Sequence, residues 1–121
     1  MGRYAFIILS NPEDLSEAVR AAHALHYAAG LKEEGHDVVV YFDGLGSRIP
    51  IAQSPYKGLR PAYEEAVRAG VIYGACGYCA SPPHLNIGDE LRRAGLRLVG
   101  DEEHHEDISI FIDSGYQVLI F

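Results

Sequence analysis

Positive charge is scarce in this chain. Ten Lys and Arg stand against seventeen Asp and Glu, a formal net charge of −7 over 121 residues. That balance argues against a nucleic-acid backbone or an anionic membrane surface as a partner. No apolar run approaches the ~20 residues that span a bilayer. Met1-Gly2-Arg3-Tyr4 leads straight into an apolar strand pattern and resembles neither a signal nor a transit peptide. Repeats and low-complexity tracts are absent, and the length suits one domain over residues 1–121. These absences point to a cytoplasmic protein. Cysteine is scarcer still, with only Cys76 and Cys79. In a reducing compartment such a pair serves redox, metal-binding or nucleophilic chemistry rather than a static disulfide.

What is present is a 48% hydrophobic chain with a regular alternation of apolar strands and helical patterns. Tyr4–Leu9 reads as a first, central strand. Ser10-Asn11-Pro12-Glu13-Asp14 reads as a helix start, with a Ser or Asn cap, Pro at the first helical position and acids in the first turn. The helix is expected to run to about Glu34 and to bury Leu15, Val19, Ala22, His26 and Ala29. Asp37–Phe42 is the second strand, which completes a βαβ unit with parallel strands. Asp43–Gly58 reads as a loop, Leu59–Ala69 as a helix stopped by Gly70, and Val71–Ala75 as the third strand. Asn86–Ala94 and Glu102–Ser114 are helix candidates. Leu96–Val99 and Tyr116–Phe121 are the last two strands. The expected architecture is a single-domain three-layer α/β sandwich with a five-stranded, mostly parallel sheet.

The third strand runs directly into Cys76-Gly77-Tyr78-Cys79. The carboxyl end of a parallel strand is where α/β folds display reactive groups. A thiol there, at the start of a following helix, is expected as a thiolate. Cys76 is the expected nucleophile, and Gly74 and Gly77 let the backbone bend around it. Cys79 either resolves a persulfide or sulfenic acid on Cys76 as a disulfide or is a spare thiol. Cys76-x2-Cys79-x4-His84-x4-Asp89 has the ligand spacing of a zinc knuckle. Its α/β context instead favours His84 as a loop histidine near the thiol, helping proton transfer. No metal is therefore expected. No cofactor is expected either, since Gly44-x-Gly46 lacks the third glycine of a phosphate loop and reads as a flexible rim loop. His23 and His26 could share a metal, but His26 reads as a core histidine. His104 and His105 read as an exposed acidic helix start. Tyr41, Tyr56 and Tyr78 lie on or near the cysteine rim.

Several stretches, in order, resemble the DsrE/DsrF-like family of small sulfur-relay proteins. They are the N-terminal apolar strand, the Ala-rich helix, EGHDVVVYFDGLG, GVIYGACGYC and the closing GYQVLIF. The resemblance covers nearly the whole chain. It implies a five-stranded parallel sheet between helices, trimers or hexamers, and persulfide sulfur carried on the cysteine matching Cys76. Cys79 matches a second cysteine found in some members. Where the family often continues into an Arg-Gly-hydrophobic turn, this chain has Ser81–Ile87 and no arginine. The expected function is sulfur transfer between donor and acceptor proteins. A CxxC dithiol–disulfide oxidoreductase or redox sensor and a non-catalytic assembly subunit are the alternatives. Ile49, Ile51, Tyr56, Leu59, Tyr63 and a final Phe121 without a polar tail are expected to form an exposed patch that supports a homo-oligomer.

Overall fold

The computed structural model describes residues 1–121. Five strands form one parallel sheet: β1 (Arg3–Ile8), β2 (Asp37–Phe42), β3 (Ile72–Cys76), β4 (Leu98–Val99) and β5 (Gln117–Ile120), in the order β4-β3-β2-β1-β5. Because every pair is parallel, all carboxyl ends emerge on one rim. β2 pairs with β3 and β3 with β4, so the residues that follow these three strands leave from adjacent positions on that rim.

The helices are α1 (Leu15–Glu33), α2 (Leu59–Ala69), α3 (Gly77–Ala80), α4 (Gly88–Arg93) and α5 (Ser109–Ile112). The cores on the two faces of the sheet are unequal. On one face α1 and α2 pack over Phe6, Ile8, Val38, Val40 and Phe42. On the other, Ala5, Ile7, Tyr41 and Cys76 meet Phe111 of α5 in a smaller cluster. The chain order explains this. The crossovers from β1 to β4 all advance in one direction across the sheet, whereas β4 to β5 doubles back to the far edge. Right-handed crossovers therefore place the last connection on the opposite face.

The outline of the sequence reading holds, with local corrections. Asp14, not Ser10 or Asn11, caps α1, accepting the Glu17 N–H at 3.0 Å. The buried stripe of α1 is alanine-rich: Ala18, Ala21, Ala22, Leu25, Ala28 and Ala29. Such small side chains let α1 lie close against the sheet and α2. The face is rotated from the expected one, so Leu15 and His26 are exposed and His26 meets Glu65 at 3.1 Å. His23 bonds the Val19 carbonyl of its own helix. The expected loop after β2 is instead a 3₁₀ helix, Gly44–Ile51, packed under the rim. A Cβ on Gly46 would fall 2.0 Å from the Ile8 carbonyl oxygen, so only glycine allows this approach. The Glu102–Ser114 helix shrinks to α5, and the acidic run before it is irregular. Four consecutive acidic or imidazole side chains, Glu102 to His105, offer no apolar face to pack.

The expected exposed patch is mostly interior. Ile49, Leu59 and Tyr63 are buried, and Ile51, Tyr56 and Phe121 pack against the same core. Phe121 stacks on Phe6 with ring centroids 5.4 Å apart. No helix is long and apolar enough to cross a membrane.

Candidate functional site

β3 carries an irregularity that aims its cysteine. Val40 pairs with Ile72, but the next residue, Tyr41, pairs with Gly74, so Tyr73 is an extra residue. Such a bulge changes which face the following side chains occupy. Ile72 belongs to the α1/α2 core and Tyr73 to the α5 side. Strict alternation would return Cys76 to the α1/α2 core. After the bulge Ala75 takes that core position and Cys76 joins the cluster on the α5 side. Gly74 makes the bulge feasible, with φ +156° and a backbone so close to β4 that a Cβ would meet the Arg97 carbonyl oxygen at 2.6 Å.

Cys76 ends β3 and has no exposed surface. Its sulfur accepts the Cys79 N–H at 3.3 Å across the single turn of α3. Cys79 is partly exposed, and both thiols are free. The Cys79 thiol also lies 3.4 Å from Asp43 Oδ1. Asp43 is the residue after β2 and caps the 3₁₀ helix through Gly44 N–H. Its side chain is 8% exposed, and its oxygen meets His105 Nε2 at 2.8 Å. His105 comes from the irregular segment between β4 and α5. Sulfur, sulfur, carboxylate and imidazole donors all lie within 4.8 Å of one another.

The two sulfurs divide their ionisation unequally. The Cys79 thiol donating toward Cys76 lowers the Cys76 pKa, burial opposes this, and the Cys79 N–H helps; the balance brings Cys76 down to about 6. Cys79 moves upward, because it is the proton donor in that contact, because it is partly buried and because the Cys76 charge lies beside it. The two shifts run in opposite directions, favouring the thiolate on Cys76 and the thiol on Cys79. Burial works to lower the His105 pKa, but the hydrogen bond and charge of Asp43 outweigh it and raise it. Tyr41 lies under Cys76, its hydroxyl buried without a hydrogen bond of normal geometry. Burial raises its pKa, and the Cys76 sulfur adds to the effect.

The structure therefore brings Cys76 and Cys79 together as expected and adds Asp43 and His105. His84 is not among the four donors. It packs at a tilt against Tyr78 with ring centroids 4.3 Å apart, while His105 meets the same tyrosine edge-on at 5.8 Å. Asp89 lies on α4, exposed, with Arg92 at 3.1 Å, so the knuckle spacing does not close into a cluster. Tyr41 and Tyr78 belong to the site, whereas Tyr56 packs with the α1/α2 core. A signal for Asp43 did exist, since it is the polar residue that leaves the strand beside the cysteine strand. Nothing in the local pattern marks His105. No protein-family model and no curated protein matches this chain.

Proposed function

We propose that this chain is a cytoplasmic persulfide carrier of the DsrE/DsrF-like kind, with Cys76 as sulfur acceptor. The observation that carries the reading is the placement of Cys76 at the carboxyl end of β3, its sulfur accepting the Cys79 N–H at 3.3 Å beside a second free cysteine. A thiolate ionised at neutral pH is the form that attacks sulfane sulfur. In the loading step the Cys76 thiolate attacks the terminal sulfur of a donor persulfide. A new S–S bond forms on Cys76, the donor's S–S bond breaks, and the donor leaves as a thiolate that takes up a proton. Delivery repeats the step toward an acceptor thiol. Because Cys76 is buried, a donor reaches its sulfur only where the cover opens, and the segment whose His105 meets Asp43 is the exposed part of that cover. His84 packs at a tilt against Tyr78, the ring that His105 also meets.

A second reading, dithiol–disulfide exchange, is favoured by the reach between the sulfurs. The Cys79 thiol can attack a Cys76 persulfide at its inner sulfur. Cys76–Cys79 disulfide forms, and the outer sulfur leaves as hydrogen sulfide. The homo-oligomer, a trimer or hexamer, belongs to the same proposal. Its support is the thin cover on the α5 side of the sheet and the exposed apolar residues of β5.

The test is whole-protein mass spectrometry of reduced protein treated with a low-molecular-weight persulfide in the presence of chelator. Wild type and Cys79→Ser are expected to gain one sulfur atom, and Cys76→Ser none. Disulfide formation shows as the loss of two hydrogens, in wild type only. Equal loading of the Cys76→Ser protein overturns the reading.

A further inference from the structure

We infer that Asp43, Cys76, Cys79 and His105 form a binding site for one borderline-soft divalent cation of the zinc class. The four donors come from three separate stretches of chain: the end of β2, the β3–α3 turn and the β4–α5 connection. Their ligand atoms all lie within 4.8 Å of one another. A tetrahedral zinc with bonds of ~2.0–2.3 Å holds neighbouring ligand atoms roughly 3–4 Å apart. Two of the pairs stand at 3.4 Å (Cys79 Sγ to Asp43 Oδ1) and 2.8 Å (His105 Nε2 to Asp43 Oδ1). Small side-chain adjustments therefore bring the set onto an ion at its centre.

The donor chemistry selects the ion. Two sulfurs, one imidazole and one carboxylate match the thiolate and nitrogen preference of zinc. Magnesium and calcium need oxygen shells. The surroundings point to a cation too. Asp43 is almost fully buried, yet no Lys or Arg pairs with it, and its only cationic partner is His105. The buried Tyr41 hydroxyl, without a hydrogen bond of normal geometry, is free to donate to a metal-bound Cys76 thiolate. The segment bearing His105 is exposed, which gives the ion a way in.

Binding involves no change of oxidation state. The cation replaces the Cys79 thiol proton and any proton on His105 or Cys76, and these protons pass to the buffer. The site shares Cys76 with the sulfur-transfer reading but does not rest on it, because no persulfide is involved. A bound cation makes Cys76 unavailable to a sulfur donor, so metal and sulfur loading exclude each other.

The test is titration of reduced, sulfur-free, chelator-treated protein with Co²⁺, followed by displacement with Zn²⁺. The expected result is one Co²⁺ per chain with a thiolate-to-cobalt charge-transfer band that disappears on adding Zn²⁺. His105→Ala and Asp43→Asn are expected to weaken binding by roughly tenfold or more, since even supporting residues of such sites cost ~10–100-fold. His84→Ala and Asp89→Asn are expected to bind as wild type. Absence of the charge-transfer band overturns the inference, as does wild-type affinity in His105→Ala. Loss of binding in His84→Ala or Asp89→Asn also overturns it, because it returns the site to the local knuckle. His105 lies on an exposed segment outside the core, so its variant decides the matter even if Asp43→Asn fails to fold. A protein that binds cobalt but takes up no sulfur, or the reverse, separates this inference from the sulfur-transfer reading.

Discussion

The contact between the two cysteines sets which sulfur ionises first. Cys79 Sγ lies 3.4 Å from Asp43 Oδ1, and its side-chain contact with Cys76 is the largest influence lowering the Cys76 pKa. Since the thiolate is the reactive form, a lowered pKa preserves reactivity into acid solution. In metal-free protein the alkylation rate of Cys76, slowed by its burial, is expected to rise through about pH 6 and to level off near neutrality. Cys79 should stay unlabelled until well above the ordinary thiol value of ~8.5. Peptide mapping of iodoacetamide adducts against pH reads both. Cys79→Ala removes the donor, so the Cys76 midpoint should move up. A lower midpoint at Cys79 reverses the roles of the pair. The same shift links to stability. A depressed folded-state pKa adds stability above the unfolded value, and this contribution is lost as pH falls through the folded one, here between ~8.5 and about 6.

Among the elements, β3 has the most influence on the site. Its bulge at Tyr73 turns Cys76 away from the α1/α2 core, and Gly74 permits the bulge. A methyl group at this position meets both an unfavourable φ and the Arg97 carbonyl oxygen, so β4 must move away. Gly74→Ala is expected to destabilise the fold by ~1–3 kcal/mol, the usual cost of overpacking. Urea denaturation measures this. In the same variant the Cys76 alkylation midpoint should rise, because β3 no longer holds its sulfur against the Cys79 N–H. A stability and midpoint equal to wild type would show that the bulge does not position the thiol. α2 and β2 have the bounds read from the sequence, since clear apolar periodicity and terminal signals define both. α1 has nearly its expected length but another buried face. The tightness of its packing selects alanine, and a hydropathy pattern ranks alanine too low to reveal that.

At the scale of the whole molecule, the unequal faces of the sheet matter most. An all-parallel sheet is normally covered on both faces. Here α1 and α2 cover one, while the other has mainly the single turn of α5. The Arg97 guanidinium lies over the Tyr73 ring at 4.2 Å and partly closes the gap. β5 is an edge strand with Leu119 and Ile120 40% and 57% exposed. Exposed apolar edges of this kind favour pairing with another chain. Light scattering after size exclusion is expected to give a multiple of the 13.3 kDa chain mass. A Leu119→Asp, Ile120→Asp double variant should shift the mass toward the monomer. A wild-type monomer at micromolar concentration contradicts the assembly.

The sequence by itself determined the alternation of strands and helices, the parallel sheet and the place of the cysteines at a strand's carboxyl end. These follow from short-range regularities: apolar runs, helix stops and the right-handed crossover. It also supplied the pairing of Cys76 with Cys79, because both sit on one turn. Only the tertiary structure decided what surrounds that pair. Asp43 arrives because β2 lies beside β3. His105, 62 positions away from Asp43, arrives because the chain doubles back from β4 to β5 and crosses the rim on the way. His84 and Asp89, close in sequence, turn away because α3 and α4 direct them elsewhere. Sequence proximity governs which groups can share a turn, whereas strand order governs which distant groups meet at a rim, and no local pattern encodes strand order.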